Sequence, residues 1–216
     1  MVKEFTSHWE GSKKPISESI KDRIHPGPPL KQRLSNTIYR LQVISHRFNS
    51  DVARLEQRGK EFFEKCTEAQ VAKDNERAVM YANECAEIRK MARIVLRSEI
   101  AIEQVMLRLE TVRDFGDVAV QMTPVVSIVH SVKSQLAGIM PQVSYELGAI
   151  GETLNSLVTE VGDTMGTDYD MVASGEEAQQ ILREAGAIAE QKMSEKFSEL
   201  PIPTSGLPTS EKEAVK

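Results

Sequence analysis

Hydrophobic residues recur at alternating spacings of four and three along two long stretches of the chain. The first series runs from Leu34 to Ala69, and the second runs from Ala78 to Leu109. This spacing places the apolar side chains on a single face of an α-helix, and such an apolar seam packs lengthwise on another helix. No proline interrupts residues 30–115. The pattern therefore predicts two long helices that pack against each other along their seams.

A polar cluster separates the two seams. Lys73, Asp74 and Asn75 follow the first series and are polar, turn-favouring residues. We therefore expect a helical hairpin with its turn near residues 72–75 and with arms of about 40 residues, or roughly 60 Å at about 1.5 Å per residue. Gly59 lies on the first seam, where a missing side chain allows the helices to approach. Glu99 is the one charged residue that breaks the second seam.

Residues 116–162 form an apolar segment beyond the hairpin. After Val118, its only charged residues are Lys133, Glu146, Glu152 and Glu160. The spacing of four and three resumes here, but Pro124 and Pro141 interrupt it. We therefore expect two or more shorter helices, with joints close to Thr123 and Met140. So apolar a segment must fold back on the hairpin or bind another subunit.

The next region, residues 163–200, is predicted to contain an acidic linker, extending from Gly162 to Gly175, and a helix. Ser174 and Glu177 have the spacing of a capping box, so we expect the helix to begin there. One face of this helix is apolar, with Ala178, Ile181, Leu182, Ala185, Ile188 and Ala189. Because its net charge is negative, we expect it to dock on the basic first arm. A solvated helix held only by its apolar face is the alternative.

Composition agrees with an all-α, elongated protein. Only 5% of the residues are aromatic and 27% are charged, which together with the long heptad patterns favours helices that pack as rods. The predicted fold is a long antiparallel helical hairpin followed by shorter helices. The predicted segments are an N-terminal segment (1–29), the hairpin (30–115), apolar helices (116–162), an acidic linker and regulatory helix (163–200), and a proline-containing tail (201–216).

Charge is distributed unevenly, and four arginines recur every seven residues on the first arm. Residues 1–115 hold 21 Lys and Arg against 17 Asp and Glu, whereas residues 116–216 hold 6 against 15, so the two parts attract each other. The four arginines, which we call the arginine stripe, are Arg33, Arg40, Arg47 and Arg54. Positions seven apart drift only about 20° around a straight helix, so the stripe follows one flank.

The arginine stripe is predicted to be a membrane-binding surface. Residues 23–60 carry eight basic side chains against two acidic ones. Each basic residue near an anionic lipid surface contributes about 1 kcal/mol. Two alternatives stay open: the stripe contacts nucleic-acid phosphates, or it is a solvated flank that pairs with glutamates.

The two ends of the chain carry candidate binding motifs. Phe5 and Trp9 are four positions apart, so a helical turn would put both rings on one side, which suits insertion into a membrane interface. The alternative is a disordered tail whose aromatic rings pack on the hairpin.

Near the other end, alternating prolines favour an extended strand that docks into a groove with little loss of entropy. Its residues are Leu200, Pro201, Ile202 and Pro203, and a plain disordered terminus is the alternative.

No pattern of catalytic or metal-binding residues is found. Cys66 and Cys85 lie on the apolar seams and are interpreted as small buried hydrophobes in a reducing compartment. The four histidines lack metal-ligand spacing, and no phosphate-binding glycine loop or catalytic carboxylate pair stands out. With neither a signal peptide nor an apolar run of about 18 residues, the chain is predicted to be a cytoplasmic protein without cofactor or enzymatic activity.

The chain resembles the ESCRT-III family, and is most similar to the archaeal cell-division proteins of the CdvB group. The likeness covers about residues 25–203 and is mainly one of architecture. Its more specific parts are Lys73-Asp74-Asn75-Glu76-Arg77 at the turn, Cys85-Ala86-Glu87-Ile88-Arg89-Lys90 after it, and the proline tail. The resemblance implies a filament subunit that assembles on membranes, constricts or severs them, and is remodelled by an AAA ATPase.

In that family a proline-rich tail binds the MIT domain of the ATPase, which implies this role for Leu200, Pro201, Ile202 and Pro203. CdvB-type members can carry a further extension for a membrane-recruiting partner, whereas this chain ends 13 residues after Pro203. We therefore expect co-assembly with sister subunits at the membrane or division site, not direct binding of that partner. A hypothesis from another class is a soluble coiled-coil adaptor or a nucleic-acid-associated rod.

Overall fold

The computed structural model describes residues 28–115, 118–165 and 171–197, and all regular secondary structure in these ranges is helical. The helices are α1 (Leu30–Val71), α2 (Asn75–Phe115), α3 (Val118–Leu136), α4 (Pro141–Met165) and α5 (Met171–Phe197). α1 and α2 have 42 and 41 residues and pack against each other as a hairpin. This confirms the predicted all-α fold with a long hairpin followed by shorter helices.

The hairpin turn is built from backbone hydrogen bonds around Lys73. Its φ of 60° is left-handed, a conformation that glycine adopts more readily than lysine at a helix end. The N–H of Asp74 donates to the carbonyl of Ala69 at 2.9 Å, and the N–H of Lys73 donates to that of Gln70 at 3.0 Å. Asp74 is the N-cap of α2, because its Oδ1 accepts a hydrogen bond from the N–H of Arg77 at 3.1 Å.

The proximal half of the hairpin, next to its open end, forms a continuous apolar core. α1 contributes Leu34, Ile38, Leu41, Phe48 and Val52, and α2 contributes Ala92, Val95, Ile102 and Leu109. These are positions of the two predicted seams. α2 also buries residues outside its seam, including Leu96, Ile100, Ala101 and Val105, because α3 and α5 pack on its other sides.

The distal half of the hairpin, next to the turn, is formed by α1 and α2 alone among the described helices. The buried core common to the shorter helices includes α1 no further than Val52. Beyond this point most buried positions are small, such as Gly59 and Ala78, and Ile88 is the exception. The Sγ atom of Cys85 lies 3.7 Å from the carbonyl oxygen of Gly59, so the helices approach closely where a side chain is missing.

Two proline positions behave differently in the apolar segment. α4 begins at Pro141, directly after the joint expected near Met140. The joint expected near Thr123 is wrong, because α3 runs through Pro124 without ending. Pro124 stands in the second turn of α3 and is buried, as is Val125. Proline removes one backbone hydrogen bond of the helix, and burial of this apolar turn offsets that loss.

The acidic linker is shorter than expected. α4 extends to Met165 and α5 begins at Met171, so helix occupies both ends of the stretch from residue 162 to residue 175. The start at Ser174 is therefore wrong by about one helical turn. A pattern of turn-favouring residues shows where a linker lies but fixes its ends poorly, since tertiary packing extends helices beyond their strongest capping residue.

The expectation that α5 docks on the basic first arm is also wrong. α5 packs on α2 and α3, and its buried face consists of Ala178, Ile181, Ala185, Ala189, Met193 and Phe197. This face requires apolar partners, and both α2 and α3, on which it packs, bury apolar residues in the same core. Apolar burial therefore decides the docking site of α5, and net charge does not.

Candidate functional site: the charged flanks of the hairpin

The arginine stripe of α1 lies beside α4, and two of its members form ion pairs with that helix. Nη1 of Arg33 lies 2.5 Å from Oε2 of Glu160, and its Nη2 donates to Oγ of Ser156 at 3.1 Å. Nη1 of Arg47 lies 2.7 Å from Oε1 of Glu146. Arg33 and Arg47 therefore pair with glutamates, as expected if the stripe is a helix flank that pairs with glutamates and not a free membrane-binding surface.

The register of α4 explains which arginines are paired. The two paired arginines are 14 residues apart, as are their two glutamates, and the helices run in opposite directions. Midway between the pairs, this register sets Arg40 level with Thr153, which is uncharged and bonds to the carbonyl of Ala149. Arg40 is exposed and forms no ion pair with any residue in the described ranges. Arg54 lies beyond the start of α4 and pairs with Asp51 of its own helix at 2.5 Å.

An open groove of about 980 Å³ adjoins the stripe where α3 gives way to α4. Arg47 and Arg54 line one wall, and Met140 and Tyr145 line the other. The side chain of Arg54 is 77% exposed, and the ring of Tyr145 also faces water. Part of the arginine stripe is therefore accessible even with α4 in place.

The opposite flank of the hairpin belongs to α2 and faces α5. Nε of Arg93 lies 2.7 Å from Oε1 of Glu190, and Nη2 of Arg108 lies 2.7 Å from Oε1 of Glu177. The order of these pairs shows that α5 runs antiparallel to α2. Acidic residues of α5 thus meet arginines, but those arginines belong to the second arm.

The end of α5 is fixed on the same flank. Nη2 of Arg89 donates to the carbonyl oxygen of Phe197 at 3.4 Å, a long hydrogen bond to the last residue of the helix. A guanidinium at this place also interacts favourably with the negative end of the helix dipole. Gly186, near the middle of α5, lies against Arg97, since a Cβ there would be 3.8 Å from its Nε. Both contacts bring α5 close to α2 along its length.

Glu99 is a buried carboxyl on the seam of α2. The residue is only 3% exposed. Burial raises the pKa of Glu99 above its usual range, because a charged carboxylate is poorly solvated there. Lys192 and Lys196 of α5 favour the charged form and act in the opposite direction, without cancelling the effect of burial.

The two cysteines occupy the distal half of the hairpin as free thiols. Cys66 is buried, with its Sγ 3.4 Å from the carbonyl oxygen of Ala78. Burial also raises the pKa of the Cys85 thiol, which makes the reactive thiolate less accessible. Across the described ranges, no three His, Cys, Asp or Glu side chains come together as metal ligands. No described helix is long and apolar enough to span a bilayer.

The other predicted binding residues lie outside the described residues. They are Phe5 and Trp9 in the N-terminal segment and Leu200, Pro201, Ile202 and Pro203 in the tail. Their roles stay predictions. Sequence reasoning also missed Glu146 and Glu160 as the partners of the stripe. Their spacing of 14 residues, equal to that of Arg33 and Arg47, was a usable indication once two antiparallel helices were assumed.

These features define a class of protein, an all-helical hairpin whose two flanks are covered by shorter helices through arginine–glutamate pairs. The chain is 43% identical over 199 residues to cell division protein B1 of Sulfolobus acidocaldarius, an alignment that covers 92% of this chain and 90% of that protein. It is 35% identical over 179 residues to cell division protein B of the same organism, with 83% and 69% covered.

The chain therefore belongs to the family of CdvB-type archaeal cell-division proteins. Its similarity to these two proteins supports a role in cell division. No family model matches the chain. No solved structure matches it either.

Proposed function

We propose that the protein is a filament-forming subunit that assembles on membranes and remodels or constricts them during cell division. The observation that supports it best is the arrangement of the arginine stripe. Two of its members form ion pairs with α4, Arg40 forms no ion pair within the described residues, and Arg54 is mostly exposed. In this proposal α4 shields part of a basic surface that anionic lipid headgroups bind.

The energies involved allow a membrane to compete with α4. In the pair of Arg47 with Glu146, the side chains are 46% and 36% exposed. Ion pairs this exposed contribute about 0–1 kcal/mol each. A basic residue close to an anionic membrane contributes about 1 kcal/mol, and the stripe offers four of them together. An anionic surface can therefore replace Glu146, whereas Arg33, whose pair with Glu160 is only 21% and 32% exposed, is held more firmly by α4.

A pelleting experiment tests this membrane surface. The stripe variant Arg33→Glu, Arg40→Glu, Arg47→Glu and Arg54→Glu is compared with a variant of equal charge change in the distal half, Lys65→Glu, Lys73→Glu, Arg77→Glu and Lys90→Glu. We expect the stripe variant to lose binding to vesicles containing anionic phospholipid, and the distal variant to keep most of it. Equal binding by the two variants would contradict a specific role for the stripe.

A second candidate function, a soluble adaptor or nucleic-acid-associated rod, is favoured by the intramolecular pairing of three stripe arginines. The same pelleting experiment separates the candidates by adding neutral vesicles and duplex DNA as ligands. Membrane binding predicts pelleting with anionic vesicles alone. Binding to DNA with a steep salt dependence, or a fixed dimer that ignores lipid, would support the second candidate.

We propose that Phe5 and Trp9 insert into the membrane interface next to the stripe. Trp9 is the only tryptophan in the chain, so its fluorescence reports on this segment alone. We expect a blue shift of its emission on adding anionic vesicles, and weaker binding for Phe5→Ser. An emission maximum that stays unchanged while the protein pellets with vesicles would remove this residue from the membrane surface.

Polymer formation is proposed to require release of α5, which would uncover apolar surface on α2 and α3 for another subunit. Both similar proteins come from one organism, which supports polymers that contain sister subunits. Deleting residues 174–216 is expected to promote assembly, measured by sedimentation with and without anionic vesicles. A truncated protein that stays monomeric on such vesicles would contradict this step.

The tail is proposed to recruit a recycling AAA ATPase through an MIT domain. Because Arg89 bonds to the carbonyl of Phe197, the chain leaves α5 beside the distal half of α2. Leu200→Asp is expected to weaken binding of the MIT domain, whereas Thr209→Asp, further along the same tail, is the matched control. An affinity unaltered by Leu200→Asp would eliminate the docking role of Leu200, Pro201, Ile202 and Pro203.

A further inference from the structure

Arg97 of α2 lies against the docked α5 but forms no hydrogen bond with it. A Cβ atom on Gly186 of α5 would be 3.8 Å from Nε of Arg97 and 4.0 Å from its Cζ, so the two helices meet at the guanidinium group. The Nε atom is buried and donates to no acceptor in residues 28–115, 118–165 and 171–197. Arg97 also forms no ion pair in these ranges. A charged side chain therefore enters the interface with one donor unsatisfied.

The sequence of α5 explains why Arg97 meets no acceptor. Gly186 has no side chain, and its backbone lies inside the hydrogen-bonded helix α5. Leu182, one turn earlier, is apolar, and Glu190, one turn later, pairs with Arg93 at 2.7 Å. Arg93 and Arg97 are four residues apart on the same face of α2, so the two arginines differ mainly in what α5 presents to them.

An unsatisfied donor opposes the contact that buries it. In water the N–H group at Nε of Arg97 is hydrogen-bonded to solvent, and burial without an acceptor loses that bond. The loss is larger for a charged group than for a neutral one. Because α5 lies against Nε, release of this helix returns the group to water. The cost is therefore carried by the docked state alone.

We propose that Arg97 is a destabilising contact built into the interface of α2 with α5, which keeps α5 releasable. The apolar face of α5 and the pairs of Arg93 with Glu190 and of Arg108 with Glu177 hold the helix in place. Arg97 acts against them. An apolar side chain of similar length at this position would keep the contact with α5 and remove the cost. The arginine thus sets how often α5 opens.

Hydrogen exchange of the α5 amides in the full chain tests this proposal. Arg97→Met keeps a long unbranched side chain against α5 and has no N–H group in it. We expect it to slow exchange of these amides by about fivefold or more, the factor that corresponds to the lower end of the cost of an unsatisfied buried group. Arg93→Met is the matched control: it removes the same charge from the same face of α2, but it also breaks the pair with Glu190 and should not slow exchange.

Amides of α1 report whether the effect belongs to α5. Leu41 and Phe48 lie in the core of the hairpin, and their exchange should change less than that of α5 in Arg97→Met. The proposal is overturned if Arg97→Met leaves α5 exchange unchanged or speeds it, if Arg93→Met slows it equally, or if the α1 amides slow by the same factor. Release of α5 is a step of the proposed function, but these measurements involve neither lipid nor a second subunit, so the two proposals can fail separately.

Discussion

The two flanks of the hairpin are covered by helices of similar length that are held in different ways. α5 buries an apolar face against α2 and α3, and it adds two ion pairs to α2 at the margin. α4 packs its apolar face mainly on α3, shares the apolar core with α1, and adds ion pairs to Arg33 and Arg47. The flank under α5 therefore has an extensive apolar interface, whereas the flank under α4 combines a smaller interface with two ion pairs.

This difference predicts that the contact of α4 with α1 and the contact of α5 with α2 are lost under different conditions. Apolar burial contributes roughly 25 cal/mol per Å² and is insensitive to salt, so α5 is held firmly. The pair of Arg47 with Glu146 is exposed, contributes about 0–1 kcal/mol and is screened by salt, whereas the pair of Arg33 with Glu160 is more buried and less screened. The contact of α4 with α1 is therefore the more salt-sensitive of the two. We expect the arginine flank to open first, under conditions that leave α5 docked.

The largest effect is expected from removing apolar contact under α5. Ile181 is 4% exposed, whereas Ile188 on the same helix is 41% exposed. Ile181→Ala should lower the free energy of docking by about 2–4 kcal/mol, because it loses buried methyl groups and leaves a cavity. Ile188→Ala is the matched control and should cost less than about 1 kcal/mol. Hydrogen exchange of α5 measures both, and equal effects would mean that α5 is not held by this face.

A smaller effect is expected from overfilling the same interface. Ala185 is fully buried between α5 and the hairpin, and Ala187 is exposed. Ala185→Leu inserts three carbon atoms into a packed space and should destabilise docking by about 1–3 kcal/mol. Ala187→Leu should have little effect. If the two variants unfold at the same denaturant concentration as the wild type, the packing of α5 is looser than described.

Removing the ion pairs at the margin of α5 should lower the free energy of docking by less than either Ile181→Ala or Ala185→Leu. Glu177→Gln and Glu190→Gln each leave an arginine that is partly exposed to water. Each substitution should cost less than about 1 kcal/mol of docking free energy at low salt, since solvent screens both charges. Denaturant unfolding at low and high salt measures this. A cost comparable with that of Ile181→Ala would show that charge, not burial, holds this flank.

The smallest effect on overall stability is expected from salt, which sharpens the contrast between flanks. Raising the ionic strength from about 0.1 M to about 1 M shortens the Debye length from about 10 Å to about 3 Å. Protection of the arginine side chains that face α4 should fall, while exchange of the α5 amides stays nearly constant. NMR of arginine Nε–H groups resolves the two flanks in one sample. Parallel loosening of α4 and α5 would contradict the distinction.

The hairpin was predictable because its cause is local and periodic. A helix with apolar residues at alternating spacings of three and four buries them by packing lengthwise on a second such helix. The polar cluster at Asp74 separates the two seams and so marks the turn of the hairpin. Pro124 was misleading because proline indicates a break only when packing does not offset the lost hydrogen bond.

The choice of flank was less predictable, because it depends on three-dimensional neighbours. The acidic charge of α5 predicted docking on α1, the more basic arm. Glutamates of α5 can pair with arginines of either arm, however, and Arg93 and Arg108 of α2 are at suitable positions. An apolar face has fewer acceptable partners. Arg33 and Arg47 are separated by the same number of residues as Glu146 and Glu160. This equal spacing would have predicted the ion pairs between α1 and α4 if the antiparallel register had been known.

The proposed shielding of the arginine stripe by α4 is tested most directly by removing the two glutamates that pair with it. Vesicle binding is measured for the wild type, for the double variant Glu146→Gln and Glu160→Gln, and for Glu152→Gln, an exposed carboxyl of α4 outside both pairs. The account predicts tighter binding of the double variant to anionic vesicles, by several-fold at low salt, than of Glu152→Gln. Equal binding by these two variants would contradict it.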